Sequence, residues 1–151
     1  MSLSWRFARL EALSPLEVYD MLALRSEVFV VEQQCIFQDP DGVDAQAHHL
    51  LGRNALGALV AVLRLVDPGI KYSEPSMGRV ISAPSVRRQG VGRELVAEGI
   101  RRCRSCWPGQ GIRISAQARL ERFYADFGFL TVSEPYLEDD IPHLEMLLPA
   151  R

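Results

Sequence analysis

Lysine is nearly absent from this chain: Lys71 is the only one among 17 Lys and Arg residues. With no lysine beside a glycine-rich turn, a P-loop Gly-Lys-Ser/Thr cannot be assembled, which excludes that route to nucleotide phosphates. Positive charge is not in excess either. The formal net charge is −2, so no electrostatic footprint for nucleic acid or an anionic membrane is expected. Cysteine is scarce. Cys35, Cys103 and Cys106 cannot all pair within one chain, which argues for a reducing compartment and against a disulfide scaffold. Cys103-x-x-Cys106 falls at the end of a helical stretch rather than opening one, and zinc would need two further ligands, so the pair reads as incidental and no metal is expected. Long apolar runs are missing as well. Ala55 to Leu63 contains Gly57 and stops at Arg64, far short of a bilayer span. Met1 to Leu10 has no run suited to a signal peptide. The expectation is a soluble, cytoplasmic protein. No repeat or low-complexity linker interrupts the 151 residues, so one domain over 1–151 is expected.

What is present is a clear series of elements. Trp5 to Leu10 partly alternates and reads as a first strand. Ser14, Pro15 and Glu17 form an N-cap, a first-turn proline and a capping box, with Leu13 and Val18 placed as a hydrophobic staple. Val18, Met21, Leu22, Val28 and Phe29 continue one apolar helical stripe, on which Arg25 and then Glu32 also fall. Phe37 to Asp44 is a loop rich in Asp, Pro and Gly. His49–Leu51 and Leu56–Leu65 read as an antiparallel hairpin around Asn54, and Gly78–Ser82 as a further strand. A helix runs from Gly90 to about Cys103. Ile112–Ala116 is a strand, Leu120–Phe127 a short helix stopped by Gly128, and Phe129–Val132 and His143–Leu148 are the last strands. The order β, α, three strands, then α-β-α-β-β points to an α/β (α+β) fold with a mixed sheet and helices packed on it.

The segment Arg87-Arg88-Gln89-Gly90-Val91-Gly92-Arg93 joins a strand to a helix start. Backbone N–H groups at a helix N-terminus lack internal partners, and the helix dipole adds about half a positive charge there. Such a place suits an anion, and Gly90 and Gly92 let phosphate oxygens approach the backbone. Arg87, Arg88 and Arg93 can add charge-assisted hydrogen bonds. A Rossmann fingerprint needs a third glycine where Leu95 stands. Taken alone, the segment also reads as a solvent-exposed glycine turn.

Arg87-x-x-Gly90-x-Gly92 resembles the Arg/Gln-x-x-Gly-x-Gly/Ala signature of the GNAT superfamily of N-acetyltransferases. The element order agrees over nearly the whole chain. A narrower resemblance is to the ElaA-like bacterial acetyltransferases. It runs through Leu24-Arg25-x-x-Val28-Phe29-Val30-Val31-Glu32-Gln33, Asp39-x-Asp41-Gly42, Gly78-Arg79-Val80-Ile81, Ala116-Gln117-Ala118, Phe123-Tyr124-x-x-Phe127-Gly128-Phe129 and Ile141-Pro142-His143. The resemblance implies a GNAT-like acyl-CoA N-acyltransferase fold with a mostly antiparallel sheet splayed at Gly78–Ser82. It implies acetyl-CoA as acyl donor, with its pyrophosphate on Arg87 to Arg93 and its pantetheine along Ile81 and Ser82. A strand N–H there would face the thioester oxygen, and a bulge would open the cleft.

By the same resemblance Tyr124 faces the cofactor sulfur, where a phenol can protonate the leaving thiolate. It also reads as a tyrosine packed beside Phe123 and Phe127. Gln117 stands where the superfamily often has asparagine and can hydrogen-bond pantetheine. Attack requires a neutral amine, so a base is needed. Glu32 is the first choice as catalytic base, with His49 and His143 as alternatives; all three count as substrate-side residues. Asp39, Asp41, Asp44, Glu138, Asp139 and Asp140 form two acidic loops that either gather a cationic amine or are merely solvated. The expected partner is a small-molecule or peptide amine, with neither nucleic acid nor membrane, and a homodimer is compatible with it. An acyl-homoserine-lactone-synthase-like acyltransferase and a non-catalytic acyl-CoA-binding module are the competing readings.

Overall fold

The computed structural model describes residues 2–151. β1 (Ser4–Arg9) leads through a short turn to α1 (Pro15–Arg25). The capping box forms as expected: Ser14 Oγ accepts from Glu17 N at 3.1 Å, and Glu17 Oε1 accepts from Ser14 N at 2.8 Å. Beyond Arg25 the helix widens into a π-helical stretch, Ser26–Glu32, a form often found at functional sites. Met21, Leu24 and Val28 bury one face of this helix in the core, and Arg25 is buried beside them.

β2 (Ala47–Arg53) and β3 (Leu59–Val66) form the expected hairpin, but β3 starts three residues later than the apolar pattern suggested. Asn54 Oδ1 accepts from the N–H groups of Leu56 and Ala58, both at 3.0 Å, which curls 54–58 into a turn and leaves Leu56 exposed. Val60–Val66 is buried without interruption, because helices or loops cover both faces of this central strand.

β4 (Ser76–Ser82) carries the anticipated bulge. Val62 faces Ile81 while Arg64 faces Gly78, so β4 holds one residue more than its partner, and Arg79 takes φ 49° there. α2 (Val91–Cys106) crosses back and packs on the sheet at Gly99, where a Cβ would lie 2.7 Å from Leu63 Cδ2. β5 (Ile112–Gln117) follows, then α3 (Glu121–Ala125), β6 (Leu130–Thr131), β7 (Tyr136–Glu138) and β8 (Ile141–Leu148). The eight strands run β1-β2-β3-β4-β5-β8-β6, with β7 also on β8. All pairs are antiparallel except β4 with β5, which meet in parallel at Ser76 and Arg113 and then diverge. That divergence is the cleft.

Of the two acidic segments, only that of Glu138, Asp139 and Asp140 is the solvated loop of the simpler reading. Asp139 and Asp140, at φ 50° and 62°, are the two-residue turn of the β7–β8 hairpin. Asp39 and Asp44 are buried. Arg25 donates to Asp39 Oδ2 at 2.8 Å and to both Asp44 oxygens, while Arg64 donates to Asp41 and Asp44. Arg79 Nε lies 2.8 Å from Asp39 Oδ1, and the Arg79 guanidinium stands over the Phe29 and Phe37 rings. Asp39, Asp41 and Asp44 therefore spend their charge on three arginines and are not free to gather an amine. Among the described residues no helix is long and apolar enough to cross a membrane.

Candidate functional site

The wedge between β4 and β5 opens into two connected hollows. The larger, about 330 Å³, is bordered by Glu32, Ser82, Arg87, Gly92 and Phe123. The smaller, about 90 Å³, is bordered by Arg79, Ser115, Glu138 and His143. Phe29, Val80, Gln117, Leu120 and Tyr124 line both, so they form the partition between them.

The larger hollow ends on the glycine-bearing turn. Arg88 and Gly90 take φ 65° and 81°, a left-handed pair that turns the chain sharply into α2. No side chain caps α2 at Gly90, so its first N–H groups remain available. Gly92 borders the hollow, and a Cβ there would make only ordinary contact, 3.8 Å from Phe123 Cζ. Ile81 is buried with Ser82 beside it on the wall, and Val91 is buried in the core, so Val91 offers only its backbone. Gln89 reaches back to Ser85 O at 3.5 Å. Arg93 faces away, donating to Asp126 and lying over the Phe123 ring. Arg88 has no hydrogen-bond partner among the described residues.

Arg87 is the informative arginine. It makes a bidentate pair with Glu32, at 2.7 and 2.6 Å, across the mouth of the larger hollow. The pair brings together two residues expected to have separate roles. Arg87's hydrogen bonds hold the Glu32 carboxyl below the usual carboxylate range, which makes it a weaker base. Glu32 borders only the larger hollow, away from the Glu138–His143 side. His49, another expected substrate contact, is fully buried and borders neither hollow. Its Nε2 lies 2.9 Å from Asp44 O, and burial pushes its imidazole below its ordinary value.

Tyr124 is held on the short α3 by edge-on contacts with Phe123 and Phe129, at ring separations of 5.1 and 5.8 Å. Its ring is buried, yet its hydroxyl has no hydrogen-bond partner among the described residues. Burial pushes the phenol above its ordinary value, so it stays protonated through neutral pH and can serve as a proton donor. Gln117, in the partition, is held by Arg119 Nε at 3.1 Å and reaches Gln33 at 3.4 Å.

His143 is the one expected alternative that borders the smaller hollow, and it does so beside Glu138. Sequence reasoning missed Ser115 and Tyr136, whose hydroxyls lie 2.5 Å apart next to this pair. Ser115 falls within the expected strand Ile112–Ala116 with nothing to single it out, and Tyr136 sits on β7, whose three residues carry no pattern. Among the described residues, no three His, Cys, Asp or Glu side chains are placed to hold a metal ion.

Comparison with known proteins agrees with this geometry. Residues 27–149 match the family described as acetyltransferase (GNAT) domain. The UPF0039 protein sll0451 of Synechocystis is 44% identical over 97% of this chain and 96% of that protein. Protein ElaA of Escherichia coli is 38% identical over 95% of each, and its crystal structure superposes with a TM-score of 0.90 over 97% of this chain and 99% of that one. An acyl-CoA N-acyltransferase structure from Pseudomonas aeruginosa is 41% identical, with a TM-score of 0.91 over 97% and 99% of the two chains. With its splayed β4 and β5, its glycine-bearing turn and relatives alike over nearly their full length, the chain belongs to the GNAT acetyltransferase family.

Proposed function

We propose that the chain is a cytoplasmic, acetyl-CoA-dependent N-acetyltransferase, one domain over residues 1–151, that passes the acetyl group directly to a primary amine of a small molecule or peptide. The observation that carries this reading is Tyr124, a protonated phenol without a protein partner, set in the partition between the two hollows. The larger hollow fits the donor. It lies along the open edge of β4, and it ends on the uncapped helix start that suits a pyrophosphate. Arg87, Arg88, Gln89, Gly90, Val91 and Gly92 would surround the phosphates, and Ile81 and Ser82 would lie along the pantetheine arm. An N–H of β4 beyond the Arg79 bulge would hold the oxyanion. Tyr124 would give its proton to the departing sulfur. The smaller hollow would receive the amine.

The test is thiol release from acetyl-CoA with a panel of primary amines, beside calorimetric titration with acetyl-CoA. Tyr124→Phe should cut turnover about a hundredfold or more while leaving acetyl-CoA affinity in place. Unchanged turnover removes the proton from Tyr124, and an absence of binding heat sinks the reading as a whole.

A further inference from the structure

One imidazole in the smaller hollow is fixed in a single orientation. His143 Nδ1 lies 2.6 Å from the carbonyl oxygen of Ile141, two residues back along β8. A carbonyl can only accept, so Nδ1 carries the hydrogen and the neutral ring leaves its lone pair on Nε2. Nε2 stands 3.4 Å from Glu138 Oε2. The other oxygen, Oε1, accepts from Ser115 Oγ at 3.4 Å, and with that proton so directed, Tyr136 Oη donates to Ser115 Oγ at 2.5 Å. The Tyr136 ring also lies nearly parallel to the imidazole, at 6.2 Å and 25°. Tyr136, Ser115, Glu138 and His143 thus form one chain of contacts along β7, β5 and β8.

The arrangement is an imidazole oriented from Nδ1 by the Ile141 carbonyl, with the Glu138 carboxylate beside Nε2, the nitrogen free to take a proton. The side chain of His143 is only 9% exposed and that of Glu138 47%, so the imidazole is fixed while the carboxylate stays in touch with water. The remaining charged groups facing this place are already paired. Arg79 on β4 is bound to Asp39 and Asp41, and Arg113 on β5 to Glu74 and Glu145. Lys71 acts on Glu138 by charge from farther away. Gln117 and Tyr124 are the neutral polar neighbours from β5 and α3.

We propose that His143, oriented by Ile141 and with Glu138 beside its Nε2, is the general base that takes the proton from the acceptor amine. The assignment rests on the acetyl-transfer reading above and makes the smaller hollow its acceptor site. It also names the substrate class as a primary amine bound as a cation beside the Glu138 carboxylate, carried on a group slender enough to enter a hollow of about 90 Å³ bordered by Phe29, Val80 and Ile114. The proton balance is as follows. The ammonium gives one proton to Nε2, directly or through a water. The freed nitrogen lone pair forms the C–N bond, the C–S bond breaks, and sulfur takes its proton from Tyr124. The second nitrogen proton restores Tyr124, and His143 releases the first to solvent. Ammonium and thioester become amide, thiol and one free proton.

Acetyl transfer to the strongly basic propylamine and the weakly basic trifluoroethylamine tests this, followed across pH in the wild type, His143→Gln and Glu138→Gln. For propylamine near neutral pH, His143→Gln should lose a hundredfold or more in kcat/KM with acetyl-CoA affinity intact. The loss should shrink for trifluoroethylamine, which is already largely unprotonated, and for propylamine as pH rises. Glu138→Gln removes the carboxylate beside Nε2, so it should lower kcat/KM for propylamine more than for trifluoroethylamine. This partly exposed site keeps the test open should His143→Gln not fold. An equal loss for both amines at every pH in His143→Gln, or an equal loss for both in Glu138→Gln, overturns the base assignment while acetyl transfer stands. A wild type that binds acetyl-CoA and acetylates neither amine overturns the acceptor reading together with it.

Discussion

Replacing Glu32 with glutamine isolates the contact that closes the mouth of the larger hollow. Glu32 and Arg87 share two short hydrogen bonds, but their side chains are 39% and 41% exposed. Water therefore screens the pair, and exposed ion pairs contribute about 0.2–1 kcal/mol. Any phosphate that Arg87 is to hold must first displace Glu32, so this sum is subtracted from cofactor binding. Removing the carboxylate charge should return it. At about tenfold per 1.4 kcal/mol, the dissociation constant of CoA should tighten by at most about fivefold. Calorimetric titration of CoA into both proteins measures the change. The gain should shrink in high salt, where the Debye length falls to about 3 Å. Arg87→Ala should instead weaken binding and flatten its salt dependence. Weaker CoA binding by Glu32→Gln would refute the competition and make the pair a support for Arg87. A loss of turnover of a hundredfold or more would restore Glu32 as the base.

Three further outcomes are expected. Asp44→Ala leaves Arg25 and Arg64 buried without their shared carboxylate, which should cost about 3–5 kcal/mol. By scanning calorimetry that is a fall in Tm of about 6–20 °C for a chain of this length. Burial by itself would raise the Asp41 and Asp44 carboxyls, but Arg64 and Arg25 override it and hold both below the usual range. Their contribution is therefore complete above the unfolded value of about 3.9 and is lost as pH falls below it. The wild type should lose stability steeply there, and Asp44→Asn less steeply. Burial also pushes the Cys103 thiol up to about 12. Iodoacetamide at about pH 8 should label Cys35 and Cys106 first and reach Cys103 only on unfolding, as peptide mapping would show.

How far the sequence disclosed this depends on the range of each interaction. The start of α1 was legible because Ser14, Pro15 and Glu17 act within one turn. The turn into α2 was legible for the same reason, since Gly90 and the free N–H groups after it are local backbone chemistry. The splayed β4 was anticipated through family resemblance, although Arg79 as the bulged residue was not. The misjudged features depend on partners far along the chain. Asp44 is a loop aspartate in the sequence, and only folding brings Arg25 and Arg64 against it from 19 and 20 residues away. Nothing local links Glu32 to Arg87, 55 residues away, so their pairing is visible only in the fold. β7 was hidden by its length, and with it Tyr136 beside His143.

The parting of β4 and β5 has a consequence for the life of the free protein. A sheet normally leaves its unsatisfied backbone groups on its outer borders, where they invite association with other chains. Here two such borders face one another across a wedge, out of reach of large neighbours but open to a slender one. A ligand lying along β4 would act as an additional strand, so occupancy and folding would draw on a single equilibrium. Ligand at a hundred times its dissociation constant would add about 2.7 kcal/mol to the folded state. The persistence of this chain would then follow the supply of its donor.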